Sequence, residues 1–566
     1  MVETATCTPP RKLQPRPGFK YSTPESMKLY TPCVTTRRYL KLSPHPSLNN
    51  MSVHSGCLHN EVRSLEGRVL RPTYEMDPMA CKYLNYTAKV WGASLQCLPY
   101  FPMEGLLFTF PRHRRRAYLQ GLLSLLDSPI QERDAFITAF VKCEKIDVLG
   151  KDGDPRMIQA RSIRWNLELG RFTRVIEHQL YTLKDRVGLP LVAKGRNPTQ
   201  RASDLALKWN QFRQPVALCL DLSRWDMHVR RGLLEAVKTF YLQVMPSEHL
   251  AWLISHMVVN RGVTANGARY VRADGVTSGD MTTALGNCLA VCLMLRAMRQ
   301  IRSDVITGKG VSHTSSNGQT EDMLGDWKTM IGALKQTMSD FLEYDDGDDH
   351  TFMCESTDAP HYQTAIECWY RLCGHKLTVE GVATTLDGIV FCQSRPLLTS
   401  RGWLMVSNPK KTLCNAFMVP PQALGSLAQV KRYLQEVFVG RAIVHAGEPY
   451  LGPMFARLAN FSSADLSLVK TDAFRMKFTG MWLGVGRYGN EDLRDLVAKS
   501  NAAITSETKA RYCELWGMDP EILQSIVDEP LPSLRDPKRS VFYSGNPVSM
   551  SIDTITDLGI VTRNVI

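Results

Sequence analysis

Six aspartates in two short segments are the residues of this chain best suited to chemistry. Asp345, Asp346, Asp348 and Asp349 surround Gly347, with Phe341 and Leu342 before them and Phe352 and Met353 after. Asp221 closes the apolar run that begins at Pro215, and Asp226 follows five residues on, after a turn. Glycine accepts the positive φ that a tight hairpin demands, so the first segment reads as strand, turn, strand over Met338 to Glu355. Carboxylates crowded in such a turn repel one another unless a cation binds. Hard oxygen donors suit Mg²⁺, which takes one or two carboxylates and fills its shell with water and substrate phosphates. An EF-hand does not fit, because with Gly347 at loop position six the first and third positions fall on Leu342 and Tyr344. Standing alone, Gly347-Asp348-Asp349 is equally a solvated acidic turn.

A third segment lies between the two. Ser278-Gly279-Asp280-Met281 reads as a flexible loop entering a helix that carries Thr283 and Asn287. Residues four apart share a helix face. Two such side chains can read a ribose hydroxyl or hold a neighbouring carboxylate. Upstream, Lys142, Lys145, Arg156, Arg161, Arg164, Arg171 and Arg174 form a spaced basic region. The order is more specific than any piece: a strand-end Asp-x4-Asp, then Ser-Gly-x3-Thr-x3-Asn, then Gly-Asp-Asp, with cations before them.

The elements that must position these groups follow from pattern. Pro215 to Asp221 reads as a buried strand with a carboxylate at its tip, 226–260 as helix and 280–300 as a strong helix. Met157-Ile158 and Trp165-Asn166-Leu167 read as strands, and 302–325 as a loop. Four arginines in Pro111–Gly121 start an amphipathic helix, and 410–566 is mostly helical by pattern. Residues 1–50 hold eight Lys or Arg, two acids and eight prolines, and read as an extended basic arm over the body, with regular structure starting near residue 80.

Composition narrows the class. The 566 residues are 44% hydrophobic and 22% charged, which excludes wholesale disorder and a disulfide-dense miniature scaffold. A formal charge of +13 favours a polyanionic partner, nucleic acid or an anionic membrane surface. Fifteen cysteines without any Cys-x-x-Cys signal neither a paired zinc framework nor a thioredoxin-type site, and read as reduced thiols. Met1-Val2-Glu3-Thr4 has no apolar core, so it does not read as a secretory signal. The most apolar stretch, Ala284 to Met298, is interrupted by Asn287 and Arg296 and is short for a membrane span.

These motifs resemble the A, B and C motifs of positive-strand viral RNA-dependent RNA polymerases, closest to the tombusvirus-like group, with the flavivirus-family polymerases next. Asp221-Leu222-Ser223-Arg224-Trp225-Asp226-Met227-His228 resembles motif A, and Ser278 through Asn287 resembles motif B. Phe140 to Lys145, Asp154 to Arg161, Gly170-Arg171-Phe172 and Glu177-His178 are similar to the nucleotide-entry motif, and Phe391-Cys392-Gln393 to the primer grip, with Asn408-Pro409 after it. Asp346 stands where the group usually has Asn, Thr282 where Asn is common, and Trp225 where Phe is common.

The resemblance implies an α+β right-hand polymerase fold closed by fingertips, with an antiparallel palm sheet flanked by helices. Its division would be a basic, Pro-rich N-terminal extension (1–80), fingers (81–214), palm with motif A (215–235), fingers (236–277), palm with motifs B to E (278–400) and a helical thumb (401–566). It implies template-directed nucleotidyl transfer from rNTPs with two Mg²⁺ ions, Mn²⁺ being an acceptable substitute. Asp221 and Asp348 would be the principal metal ligands and Asp349 a supporting one. Lys142, Lys145, Arg156 and Arg164 would hold the triphosphate, with Arg156 the best of them. Asp226, Thr283 and Asn287 would sense the ribose 2′-OH, with Ser278 beside the nucleotide. Arg161, Gly279, Cys392 and Gln393 would touch RNA, and Lys376 would be the motif D general acid. Viral RNA template and product, a viral auxiliary replication protein and a host membrane surface are the implied partners, in membrane-associated complexes of the host cytoplasm, with no transmembrane span in the chain itself. Relatives often express this region by readthrough or frameshift, so Met1 need not begin the natural product.

Two other readings share the same residues. A reverse transcriptase would want Tyr-x-Asp-Asp, a register that Tyr344-Asp345-Asp346-Gly347 breaks. A non-catalytic RNA-binding replication scaffold would need no metal. A helicase or other P-loop NTPase is disfavoured, because no G-x4-G-K-[ST] occurs.

Overall fold

An apolar run without a polar residue before its penultimate position makes a strand that is covered on both faces. Pro215–Leu222 (β8) is that strand, and it lies inside a four-stranded antiparallel sheet. Its neighbours are β12 (Asp349–Glu355) and β13 (Leu377–Ala383), and β11 (Leu342–Asp345) forms the edge. The computed structural model describes residues 2–4, 7, 20–22, 38–42, 51–70, 74–147 (except 96, 98 and 111), 153–309, 319–464, 466 and 490–528.

Side chains alternate across a strand, and β8 uses both directions. Val216, Leu218, Leu220 and Leu222 enter the main hydrophobic core, whereas Ala217 and Cys219 enter a second core with Tyr344, Met353 and Phe391. Helices α2 (Pro78–Ala93), α5 (Ile163–Thr182), α8 (Arg231–Val244), α10 (Thr283–Ile306), α11 (Glu321–Leu334) and α12 (Ala359–Leu372) supply the main core. Helix α6 (Pro198–Trp209) covers the opposite face.

Helix α10 is longer than the sequence pattern indicates. Its 24 residues are long and apolar enough to cross a membrane by length and composition, yet 67% of its most apolar window is buried inside the protein. Leu285, Leu289, Cys292 and Leu293 pack in the main core, so the apolar character of this helix serves packing.

Four sequence expectations are overturned in whole or in part. Residues 226–260 are not one helix. A short helix (Trp225–His228) is followed by α8, by a helix at Glu248–Ser255 and by strand β9 (Val259–Thr264). Val229 leaves helical geometry at ψ 101°, and Ser247 starts the next helix by capping the Leu250 amide. Trp165-Asn166-Leu167 belongs to α5, because Ser162 accepts from the Trp165 amide as an N-cap and an amphipathic helix outweighs the short alternation. Regular structure also begins well before residue 80, with β4 (Met51–Val53) and α1 (Leu58–Ser64). Of the 302–325 loop, residues up to 306 and from 321 are helical, and 310–318 lie outside the described residues.

A mixed five-stranded sheet runs β2 (Lys20–Ser22), β10 (Arg269–Ala273), β9, β5 (Ile137–Val141), β7 (Met157–Ala160). The N-terminal arm takes part in regular structure: β1 (Val2–Thr4) pairs with β3 (Arg38–Lys41), which pairs with β16 (Met418–Val419). The eight arm prolines lie outside the described residues. After residue 390 come the hairpin β14 (Ser394–Thr399) and β15 (Gly402–Ser407) and then mostly helices, among them Pro409–Ala416, Leu427–Val444 and Asn490–Ala502. Residues 467–489 and 529–566 of the expected helical region lie outside the described residues.

The aromatic centre of the main core makes the sheet rigid where the acidic hairpin leaves it. Phe352 is fully buried, with its ring 4.3 Å from that of Phe341 and 5.0 Å from that of Tyr362. Phe352→Ala is expected to lower stability by about 3–5 kcal/mol, read as a lower urea midpoint with an unchanged m-value.

Candidate active site

The strand register assigns each aspartate a different job. Asp349 lies directly opposite Asp221 on β8, and Thr378 of β13 is opposite Asp221 on the other side. Asp345 pairs with His350 and so shares the Leu220 face, which points into the core. There it is fully buried, accepting from the Gly347 amide at 2.6 Å and from Cys292 Sγ at 3.4 Å. Asp346 is taken up by cations: Lys194 at 2.5 Å, Arg201 at 2.9 Å, and the Cys392 thiol at 3.0 Å. Gly347, at φ 98°, makes the turn, and a Cβ there would sit 3.4 Å from that of Asn287. This close approach seats the hairpin on α10 and leaves Asp348 facing open space.

That space is a cavity of about 590 Å³. Its walls carry Asp221, Asp226, Asp348, Lys142, Arg156, Ser278, Thr283 and Asn287, eight of the residues singled out by sequence. Ser278 Oγ donates to Asp226 Oδ2. Thr283 Oγ1 donates to the carbonyls of Thr277 and Asp280, both at 3.0 Å, closing the loop onto α10. Asn287 Oδ1 is buried and has no hydrogen-bond partner among the described residues. Lys142 Nζ and Arg156 Nε share Glu144, at 3.0 and 3.7 Å.

The remaining candidates stand elsewhere. Asp349 is not on the cavity wall; it accepts from the Cys392 backbone amide. Lys145 donates to the Asn415 carbonyl and lies over the Tyr433 ring. Arg164 binds Asp134 at 3.0 Å and the carbonyls of Ser124 and Ser128 at 2.6 and 2.7 Å, holding the end of the helix at Arg112–Asp127. Arg161 is buried against Asp280 at 2.9 Å, with further bonds to Ala135 O and Asn260 Oδ1. It anchors the Ser278-Gly279 loop, because Asp280 also accepts from Thr277 Oγ1 at 2.5 Å. Gly279, at φ 117°, lets that loop lie against β7, where a Cβ would stand 3.2 Å from the Gln159 carbonyl. Cys392 and Gln393 both have positive φ in the tight turn before β14, and Gln393 accepts from Lys411 Nζ. Lys376 is exposed, and its carbonyl accepts from the Ser223 amide at 3.1 Å.

Sequence reasoning missed Glu380, Arg224 and Arg272, all on the cavity wall. Glu380 falls where the β13–β8 register shifts between Val379 and Gly381. A bulge re-aims a side chain, and a single sequence gives no sign of one. Arg224, at φ 52°, pairs with Asp154 at 2.8 Å, and Arg272 donates to the Asp226 carbonyl at 2.6 Å. The alternation of Arg269 to Ala273 is the one trace of Arg272's inward position.

Crowded like charges raise one another's pKa. Burial, then Glu380 and Asp348, push Asp221 up to about 6. Burial, then Asp346, Glu380 and Asp348, push Asp349 up to about 7. Burial also raises Asp348, against the pull of Lys194 and Arg156, and raises Asp226, against the bond from Ser278. Among the described residues, the carboxylates of Asp221, Asp348 and Asp349 do not form a group whose ligand atoms all lie within 4.8 Å of one another. Hard carboxylate donors held at such a potential fit a divalent cation of the Mg²⁺ type.

An antiparallel sheet ending in opposed carboxylates thus borders a cavity that also carries cations and hydrogen-bonding side chains. Comparison with known proteins gives the class. The family described as viral RNA dependent RNA polymerase matches residues 26–305 and 323–528, and the chain belongs to that family. It is 34% identical over 310 residues to the RNA-directed RNA polymerase of Carnation mottle virus (54% of this chain, 36% of that protein). It is 29% identical over 363 residues to that of Tobacco necrosis virus strain A (63% and 45%), and 27% identical over 502 residues to that of Cymbidium ringspot virus (86% and 55%). The chain thus spans about half the length, or less, of the curated relatives it matches.

Buried histidines beside the site set an acid limit. His375 stacks on Trp225 at 4.5 Å, and neither ring nitrogen has a partner among the described residues. Burial, then the neighbouring His228, lower it to about 3. Burial lowers His350 and His54 to about 4. Each therefore contributes stability that is complete above its unfolded pKa near 6.5 and is lost as pH falls toward its folded value. His375→Phe is expected to flatten the stability–pH curve between pH 4 and 6 by about 1.4 kcal/mol per pH unit, with little change at pH 8, measured by urea unfolding across pH.

Proposed function

We propose that this chain is the polymerase portion of an RNA-dependent RNA polymerase of a positive-strand RNA virus, joining rNTPs to an RNA 3′ end on an RNA template. The observation that carries the reading is that Asp221 and Asp348 line one cavity together with Lys142, Arg156 and the Asp226–Ser278 pair. Family membership and the names of the relatives support the activity.

Asp221 and Asp348 would hold Mg²⁺, two ions in all, with Asp349 in support. Bound there, the metal would supply charge stabilisation for an in-line displacement. The chain's own work is positioning and charge complementarity, which dominate phosphoryl transfer. Lys142 and Arg156 attract the triphosphate. Asp226, fixed by Ser278 and Arg272, accepts from a ribose hydroxyl, and Asn287 Oδ1 offers a second acceptor. Arg161 acts through Asp280 to hold the template-side loop. The sheet of β8 and the acidic hairpin is the palm in this reading, the five-stranded sheet and α5 belong to the fingers, and the helices after 401 form the thumb. A viral auxiliary protein, a host membrane surface and cytoplasmic replication complexes complete the proposal.

The decisive test is template-directed rNTP incorporation by purified chain. Asp348→Ala is expected to lower the rate at least about 10²-fold while RNA binding persists. Retained synthesis in Asp348→Ala would overturn Asp348 as a metal ligand, and absence of rNTP incorporation by the unaltered chain would remove the proposal in favour of a scaffold. Asn287→Ala is expected to erode the preference for rNTP over dNTP about ten-fold, the size of one buried hydrogen bond, in single-nucleotide incorporation with each substrate.

A further inference from the structure

Away from the catalytic cavity, the N-terminal arm meets α1 at three side chains that could share one cation. Cys7, Cys57 and His59 offer ligand atoms that all lie within 4.8 Å of one another, the one such trio among the described residues. The Cys7 and Cys57 sulfurs are 3.4 Å apart, and neither forms a disulfide. His59 supplies an independent indication. It is 7% exposed, and neither of its ring nitrogens has a hydrogen-bond partner among the described residues. A buried imidazole without a partner costs free energy unless something is bound to it.

We infer that Cys7, Cys57 and His59 form a three-ligand zinc site that pins the N-terminal arm to the body of the protein. Two thiolates and an imidazole are the donors that Zn²⁺ prefers over Mg²⁺, and three protein ligands leave one tetrahedral position for water. Cys7 and Cys57 are partly exposed, so a metal ion has a way in. The Ser55 hydroxyl donates to Cys57 Sγ at 2.9 Å, the kind of outer contact that steadies a metal-binding thiolate.

The position gives the site its purpose. Cys7 follows β1, which is tied through β3 to β16 at Met418–Val419. Cys57 is the N-cap residue of α1, and α1 shares a core with β5 through Leu58, Val62 and Ile137. One zinc ion would therefore tie the arm to the start of α1, far from the acidic hairpin in sequence and in chemistry. Chains with two cysteines fifty residues apart carry no zinc signature in sequence, which is why the absence of Cys-x-x-Cys misleads here.

The test uses full-length chain purified under reducing conditions. Elemental analysis is expected to find one zinc per chain, lost in Cys57→Ser and in His59→Gln and retained in Asp348→Ala, which separates this site from the Mg²⁺ centre. Replacement with Co²⁺ is expected to give a thiolate-to-cobalt charge-transfer band in the wild type, stronger in His59→Cys, where a third thiolate is added. That gain of signal does not depend on a variant losing its fold. Protein without zinc and without a cobalt–thiolate band, equal zinc in the Cys57 and His59 variants, or a Cys7–Cys57 disulfide in the reduced preparation would each overturn the inference.

Discussion

Asp221 and Asp349 face each other across a sheet, with Asp348 and Glu380 close by, and four carboxylates so placed repel. Left to itself this end of the sheet would splay. It holds because the strands that present the acids are fixed by what lies behind them: β8 is buried on both faces, and Phe352 of β12 is locked between two aromatic rings. Core packing thus supplies the free energy that keeps the charges together, and the charges in turn raise the affinity of the site for a cation. A loop carrying the same acids would relax and lose both properties.

Neutralisation is selective, and the selection defines the site. Asp346 is held low by Lys194 and Arg201 despite its burial, and Asp345 is turned into the core by strand parity. Only Asp221, Asp226 and Asp348, of the six aspartates, reach the cavity wall. The buried Arg161–Asp280 pair works in the same way at one remove, since it fixes the loop that carries Ser278 to Asp226. Removing one partner of such a pair leaves an uncompensated charge, a loss of about 3–5 kcal/mol, so the loop geometry is strongly specified.

Local patterns made the centre of this arrangement legible. The apolar run at 215–222, the glycine inside the acidic turn and the four-residue spacing of Thr283 and Asn287 each translate directly into a strand, a hairpin and a helix face. What stayed hidden depends on tertiary pairing. Glu380 reaches the cavity through a register shift, Arg161 and Arg164 spend their charge on internal partners, and Lys145 crosses to the Asn415 carbonyl. The helix expected over 226–260 breaks where Val229 and Met245 leave helical geometry, a decision made by packing against the sheet rather than by periodicity.

The same distinction changes how the basic surplus is understood. A formal charge of +13 invites the view that the whole upstream region attracts phosphate. Yet Arg224 is bound to Asp154, Arg272 to the Asp226 carbonyl, and Lys194 and Arg201 to Asp346. These cations shape the site and compensate its acids. At the cavity wall, Lys142 and Arg156 share the single carboxylate of Glu144, and the Arg156 side chain remains 60% exposed. Two cations against one acid leave a net positive charge at that part of the wall, which is what the proposed triphosphate role of the pair needs, and the length of the basic region measures scaffolding as much as charge offered to a ligand.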